Sequence, residues 1–333
     1  MSIPRTDAKR VTHIDYESLD RGRVHNLLLD LVEDALGQPT HIPVIVARGR
    51  REGPILGLTA AVHGNELNGI PVIHEVIRQL DLNQLRGTLV AALVVNVPGF
   101  RLHQREMDQG TDLNTAFPGR ARGNEPQTYA HRVLHRLIKP MDRLVDLHTA
   151  SFGRINSLYA RADMDDPIAR RMAYLLRPQL ILHNQASDRT LRGNAMRLGT
   201  PAVTLEVGDP QRFQPQFIRS SVLGVRRIMG DARMLPKRKV ALGPEPVLCE
   251  RSRWNYTGRG GLLRVHPKLL DEVKKGEVIA TLVDVFGKEV AEYNAQEDGV
   301  VIGKSVNPAG ATGARIAHIG RIAPPERFVA RDA

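Results

Sequence analysis

The sequence predicts an α/β fold, a mixed sheet with helices on both faces, followed by an all-β unit of barrel or sandwich type. Three observations lead there. Apolar runs of strand length alternate with segments of helical spacing from Pro54 to about Leu235. The segments richest in reactive side chains, HGNE, DLHT and LEVG, sit at or near the ends of such runs, where ligands gather in open α/β sheets. After Leu235 convincing long helices cease, and short apolar strands separated by glycine turns take over.

Residues 22–48 read two ways. HNLLLDLVEDALG has helical propensity and HIPVIVARG reads as a strand, and two paired strands are the favoured reading. From Pro54, ILGLTAAV is a buried-strand run that stops at HGNELNG, and IPVIHEVIRQL then takes helical spacing. TLVAALVV, RLVDL and AVTLEV repeat the strand pattern. PQTYAHRVLHRLIK, DPIARRMAYLL and QFIRSSVLGVRRIM repeat the helical one. PKRK and GPEP mark a linker, so the chain divides into residues 1–238 and 239–333. The second part looks like a lipoyl/biotinyl-type β-sandwich. Such carriers present a modifiable lysine in a hairpin turn; Lys288 in FGKEV is the candidate, in a poor context, so carrier function is not the favoured reading.

With 333 residues and 42% hydrophobic content, the chain can bury one substantial core and a second, smaller one. No apolar run approaches the roughly 20 residues that span a bilayer, and MSIPRTDAKRVTHIDYESLD has no apolar signal core. A soluble, cytoplasmic protein without a membrane partner is expected. The single Cys249 cannot form an intrachain disulfide, and any metal must use histidine and carboxylate. The formal charge is +11, but the arginines are dispersed (Arg48, Arg50, Arg51; Arg170, Arg171; Arg226, Arg227) and aromatic residues make up 4%. This disfavours nucleic acid and fits a small anionic substrate drawn in by a basic field. A homo-oligomer remains compatible with all of this.

His63 and Glu66 stand three residues apart in AVHGNELNG, a turn entering a helix, where an imidazole and a carboxylate can converge on one ion. The alternative is a hydrogen-bonded loop histidine beside a helix-start glutamate. Gly64 tilts the balance, because glycine permits the unusual backbone a ligand loop often needs. His148, ending the strand RLVDLH, is the leading third ligand and leaves an open position. Ligating imidazoles need an acceptor on the other ring nitrogen, and Asp112 or Asp146 could provide it. His131 and His135 form a competing i, i+4 pair, but without an HExxH glutamate they read as a solvated helix face.

HGNE, NVPGFRLHQREMDQGTDLNTAFPG, DLHT and TLEVG, in that order, resemble the motifs of the succinylglutamate desuccinylase/aspartoacylase family, over about Gly53 to Gly320. The resemblance implies the zinc-carboxypeptidase-like fold, one Zn2+ per chain and hydrolysis of an N-acyl amino acid or a related amide. It implies His63, Glu66 and His148 as zinc ligands, Glu206 as the catalytic glutamate, and Arg105 as the arginine that polarises the scissile carbonyl. Asn114 matches the asparagine that contacts the substrate carboxylate. The chain departs from the family at DLNT: Thr115 stands where an arginine normally clamps that carboxylate, and a hydroxyl cannot replace a charged fork. Arg154, Asn156 and Arg161, which follow His148, could supply anion contacts instead; a solvated basic loop is the other reading. Trp254 and Tyr256 are expected to pack between domains, with the cleft rim as the alternative.

The leading function is therefore an N-acyl amino acid deacylase or desuccinylase. A carboxypeptidase trimming acidic peptides is the alternative within hydrolases. A metal-bearing binding protein without turnover is the alternative outside them, and Glu206 argues against it, since binding alone needs no general base.

Overall fold

The structure, a computed structural model, describes residues 8–187, 189–236, 243–324 and 327–328. Residues 22–48 form two antiparallel strands, β2 (Arg23–Glu33) and β3 (Pro39–Arg48), with β1 (Lys9–Val11) parallel to β2. Alternation decides against the helix: Leu27, Leu29 and Leu31 on β2 and Ile42, Val44 and Val46 on β3 are buried, a period of two that a helix cannot satisfy. The turn between them is pinned by the Asp34 carboxylate, whose Oδ1 accepts from the Leu36 and Gln38 amides, and by Gly37 at φ +71°.

The α/β part then runs β4 (Arg51–Ala60), α1 (Gly69–Arg78), β5 (Arg86–Ala92), α2 (Val97–Arg101) and α3 (Glu125–Val133), which continues as a π-helical turn over Leu134–Ile138. It continues with β6 (Arg143–His148), β7 (Arg154–Asn156), β8 (Leu158–Ala162), α4 (Pro167–Leu176), β9 (Leu180–His183), α5 (Leu191–Arg197), β10 (Ala202–Val207) and α6 (Pro215–Asp231). Strand side chains alternate between two cores. Leu89, Ala91, Val145 and Leu147 meet α1, α4 and α6 on one face, while Val90, Ala92 and Leu144 meet α3, the π-helical turn and α5 on the other. The mixed sheet therefore has helices on both faces.

The C-terminal part is all β: β11 (Val247–Tyr256), β12 (Gly261–Val265), β13 (Glu272–Val273), β14 (Val278–Val283), β15 (Glu289–Asn294), β16 (Gly299–Ser305), β17 (Ala309–Gly310) and β18 (Arg315–Ile322). The expected boundary at residue 238 falls among residues 237–242, outside the described residues. What the sequence did not reveal is that one sheet crosses between the two parts. Among the described residues it has fourteen strands, in the order β1-β2-β3-β5-β4-β6-β10-β8-β9-β11-β18-β16-β13, with β7 paired to β16. β11 makes the junction, parallel to β9 at its start and antiparallel to β18 along its length. A second sheet, β15-β14-β12-β17, closes a sandwich around Leu263, Ile279, Leu282, Val301 and Ile319. Lys288 lies exposed at the turn between β14 and β15. Among the described residues no helix is long and apolar enough to cross a membrane.

Candidate active site

Strands β4, β6 and β10 are adjacent and parallel, so their carboxyl ends open on one side of the sheet. His63 follows β4, His148 ends β6, and Glu206 lies opposite His148 in register on β10. Gly64 earns its place differently from the sequence expectation. It is absent from the left-handed residues, whereas Ala61 just before it has φ +49°. A Cβ on Gly64 would stand 2.1 Å from the carbonyl carbon of Gly99 and 2.2 Å from the amide nitrogen of Phe100, so contact with the α2 backbone is what requires glycine.

Ligand atoms of His63, Glu66 and His148 lie within 4.8 Å of one another, and all three side chains are buried. His63 Nδ1 is 2.9 Å from Glu66 Oε1, His148 Nδ1 is 3.0 Å from Glu66 Oε2, and the two Nδ1 atoms are 3.2 Å apart. Each imidazole turns its other nitrogen to a carboxylate: His63 Nε2 to Asp112 Oδ1 at 3.2 Å and His148 Nε2 to Asp146 Oδ2 at 2.8 Å. The two aspartates that sequence left as alternatives thus serve one histidine each. Burial pushes the Glu66 carboxyl up, but the two imidazoles outweigh it and hold it well below the usual carboxylate range. Three converging donors could hold a metal ion, because both Nδ1 lone pairs and a carboxylate face a common point while the Nε2 positions are already engaged.

Arg105 lies beside this cluster. Its Nε and one terminal nitrogen donate to Asp112 Oδ2 at 3.0 and 2.8 Å, and the other terminal nitrogen reaches Glu66 Oε1 at 3.0 Å and the Ser151 hydroxyl. Glu206 is 7% exposed, with Oε1 3.3 Å from Arg161 Nε and Oε2 accepting from Asn156 Nδ2 at 3.3 Å. Burial raises its pKa; Arg161 opposes the rise, and the Glu66 charge adds to it.

These groups line a cavity of about 370 Å³, together with Asn114, Arg154, Tyr159, Arg192, Trp254 and Arg315. Asn114 uses its Oδ1 to accept from the Leu191 amide at 2.8 Å. Thr115 is exposed, its hydroxyl donates to the Asp112 carbonyl, and it is not among the lining residues. Trp254 reaches the cavity and Tyr256 faces solvent. A second cavity of about 600 Å³ adjoins the first and shares Arg105, Ser151, Arg154 and Arg315 with it.

Sequence reasoning missed Arg192, Tyr159 and Arg315. Arg192, on α5, is 4% exposed, and its guanidinium donates to the Asn184 carbonyl and Oδ1 at 3.0 and 2.6 Å. Burial, and then the neighbouring Arg161 charge, push its pKa down to about 10. A charged residue in the short segment TLRGNAM, on the apolar side of a brief helix, was the available signal. His131 and His135 have ring centroids 4.2 Å apart, and neither belongs to a group of three potential metal ligands among the described residues. Asp163, Asp165 and His183 form another potential ligand group, near the carboxyl ends of β8 and β9.

Residues 52–231 match the succinylglutamate desuccinylase/aspartoacylase catalytic domain. The chain belongs to this family. It is 27% identical over 280 residues to the N-alpha-acetyl-L-2,4-diaminobutyric acid deacetylase of Halomonas elongata, covering 78% of this chain and 80% of that protein. It is 27% identical over 231 residues to the succinylglutamate desuccinylase of Yersinia pseudotuberculosis, covering 63% of this chain and 66% of that one. Two solved structures share the fold. The product-bound ectoine utilization protein EutE of Ruegeria pomeroyi superposes with a TM-score of 0.83 at 22% identity, covering 91% of this chain and 97% of that one. A succinylglutamate desuccinylase/aspartoacylase from Rhodobacter sphaeroides gives 0.81 at 21% identity, covering 93% and 98%.

Proposed function

We propose that this family member is a zinc-dependent deacylase that hydrolyses the amide bond of an N-acyl amino acid or a related acidic small molecule. The observation that carries the reading is the convergence of His63 Nδ1, His148 Nδ1 and the Glu66 carboxylate, each imidazole backed by an aspartate, beside a buried glutamate in one cavity. The donors fit zinc: their 2.9–3.2 Å separations are near the roughly 3.3–3.4 Å expected between ligand atoms about 2.0–2.1 Å from a tetrahedral ion. Zinc supplies Lewis acidity there, acidifying water and polarising the scissile carbonyl.

The chain's own residues supply the rest. Glu206 is the general base in this reading: its carboxylate takes a proton from the attacking water and passes it to the leaving amine. Its raised pKa suits that exchange, since a carboxylate of ordinary acidity is a poorer proton carrier near neutrality. Arg105, held in orientation by Asp112, offers its guanidinium to the developing oxyanion. Asn114 and Arg192 take the substrate carboxylate, and Arg192 provides a cationic fork in the cavity that exposed Thr115 cannot. Asn156 and Arg161 hold Glu206 in place from its two oxygens.

The charge of the cavity favours an anionic substrate. Among the described residues five arginines line it, against two carboxylates, Glu66 and Glu206, both occupied by the roles above. No spare carboxylate is there to meet a cationic side chain, so a diamino acid derivative of the kind in the Halomonas relative's name is the poorer fit. The test is hydrolysis of a panel of N-acetyl and N-succinyl amino acids, with short acidic peptides alongside, using protein supplied with zinc. Release of the free acyl acid and amino acid supports the proposal. Release of C-terminal amino acids from peptides, with no turnover of the panel, overturns it.

A further inference from the structure

Two side chains of β8 bracket Glu206, and the proposed chemistry leaves one of them, Tyr159, without a role. Glu206 on β10 faces Tyr159 on β8 in register, and Arg161 lies two residues further along β8, so the three side chains share one face of the sheet. Arg161 reaches back along its own strand. Its Nε and one terminal nitrogen donate to the Tyr159 phenol oxygen at 3.1 and 2.6 Å, while the same Nε stands 3.3 Å from Glu206 Oε1. A guanidinium free to meet a carboxylate closes on it as a two-pronged pair at about 2.7–2.9 Å. Here the phenol takes both prongs, and the carboxylate keeps a single, longer contact. Glu206 therefore has a positive charge beside it without being clamped by it.

The phenol is fixed from behind by the all-β part of the chain. Tyr159 is fully buried, packed with Leu182 of β9, Cys249 of β11 and Ile302 of β16. His318 of β18 meets its ring edge to face, with centroids 6.3 Å apart and planes at 68°. That imidazole is itself held on two sides: it stacks on Trp254 with centroids 4.9 Å apart, and its Nε2 lies 2.7 Å from the Ser252 hydroxyl. Burial, aided by the Arg161 and Arg315 charges, pushes the His318 pKa down to about 3, so the ring is neutral and adds no charge beside Arg161. Burial also pushes the Tyr159 phenol up, which keeps its proton in place at neutral pH and leaves its hydrogen for the Glu206 carboxylate opposite.

We propose that Tyr159 is a positioning residue for Glu206: its phenol occupies the guanidinium fork of Arg161 and so leaves the carboxylate oriented and free to take a proton from water. The proposal rests on the deacylase reading. It also gives the all-β part a share in the chemistry of the α/β part, because the ring that holds the fork is seated on β11, β16 and β18.

The test is a kinetic cycle of Tyr159→Phe, Arg161→Gln and the double variant, using the N-acyl amino acid of the panel that the parent turns over fastest, with zinc content measured for each protein. Tyr159→Phe should keep its zinc, leave KM within about twofold and lower kcat by about ten- to a hundredfold, the range of a contact to a charged group. Arg161→Gln should lower kcat comparably. The double variant should lose no more than about twice what the worse single variant loses, since groups that act as a unit do not multiply their effects. Multiplied losses would mean two independent roles, a raised KM with kcat kept would mean a substrate contact, and parent-like kcat in Tyr159→Phe would mean no role; each overturns the assignment. Should Tyr159→Phe fail to fold, Arg161→Lys decides: it keeps the charge without the fork, so kcat should fall with KM kept, and parent-like kcat overturns the proposal. A parent that hydrolyses no member of the panel overturns the deacylase reading and this assignment together, whereas an active parent with unaffected variants overturns this assignment alone.

Discussion

Replacing Asp146 by asparagine tests the metal cluster through its supporting residue while leaving the three ligands in place. Asp146 is 1% exposed; its Oδ2 stands 2.8 Å from His148 Nε2 and its Oδ1 accepts from the Thr59 hydroxyl at 2.6 Å. An asparagine keeps the shape, but its oxygen can face only one of these partners. If it faces Thr59, the amide N–H meets the imidazole N–H and the ring loses its orientation. If it faces His148, the bond survives without the negative charge that makes the Nδ1 lone pair a strong donor. Either way the zinc affinity should fall by about 10–100-fold, or roughly 1.4–2.7 kcal/mol. Asp112→Asn should cost less, because that side chain is 25% exposed, its contact to His63 is longer at 3.2 Å, and it is shared with Arg105. Competition for zinc with a chromophoric chelator at neutral pH reads both. Asp146→Asn protein that remains folded and binds zinc within about threefold of the parent would refute the assignment of His148 Nδ1 as a ligand.

Glu206→Gln should keep zinc and lose about 10²–10⁴-fold in kcat, since the amide cannot take a proton; near-parent turnover would remove Glu206 from the mechanism. Gly64→Ala should lower the melting temperature and weaken metal binding, at a cost of about 1–3 kcal/mol for forcing α2 away, read by thermal melts with and without zinc. Asp231 bridges Arg143 on β6 and Arg171 on α4; burial raises its pKa, but the two guanidinium groups outweigh it and leave it below the ordinary value. A lowered folded value means that its stabilisation is present above the unfolded pKa of about 3.9 and is lost as pH falls through the folded one. Asp231→Asn should therefore be less stable than the parent at neutral pH, with the gap closing in urea titrations as the pH falls below the ordinary carboxylate range; a gap independent of pH would contradict the pairing.

The parts of the site legible in sequence are those written in local patterns. His63, Glu66, His148 and Glu206 stand at the ends of apolar runs, and strand order then brings them together because β4, β6 and β10 are neighbours. The β2–β3 hairpin was legible through alternation despite its helix-forming residues. Spacing cannot show what depends on distant backbone. The choice between Asp112 and Asp146 dissolves only when the fold gives each its own histidine, and the need for Gly64 is visible only against Gly99 and Phe100, some 35 residues away. Arg192 sits in an inconspicuous segment, β8 and β9 are only five and four residues long, and the shared sheet depends on β11 joining β9 across the intervening chain. A linker-like composition at residues 236–246 concealed that continuity.

The central claim is that His63, Glu66 and His148 hold the zinc on which hydrolysis depends. Its most direct measurement is metal content together with N-acyl amino acid hydrolysis for the parent and the His63→Ala, His148→Ala double variant, each stripped with chelator and then given zinc. The account predicts that the stripped parent is inactive and regains turnover as it takes up about one zinc per chain, while the double variant regains neither. Full hydrolysis by metal-free parent, or stoichiometric zinc in the double variant, would contradict it.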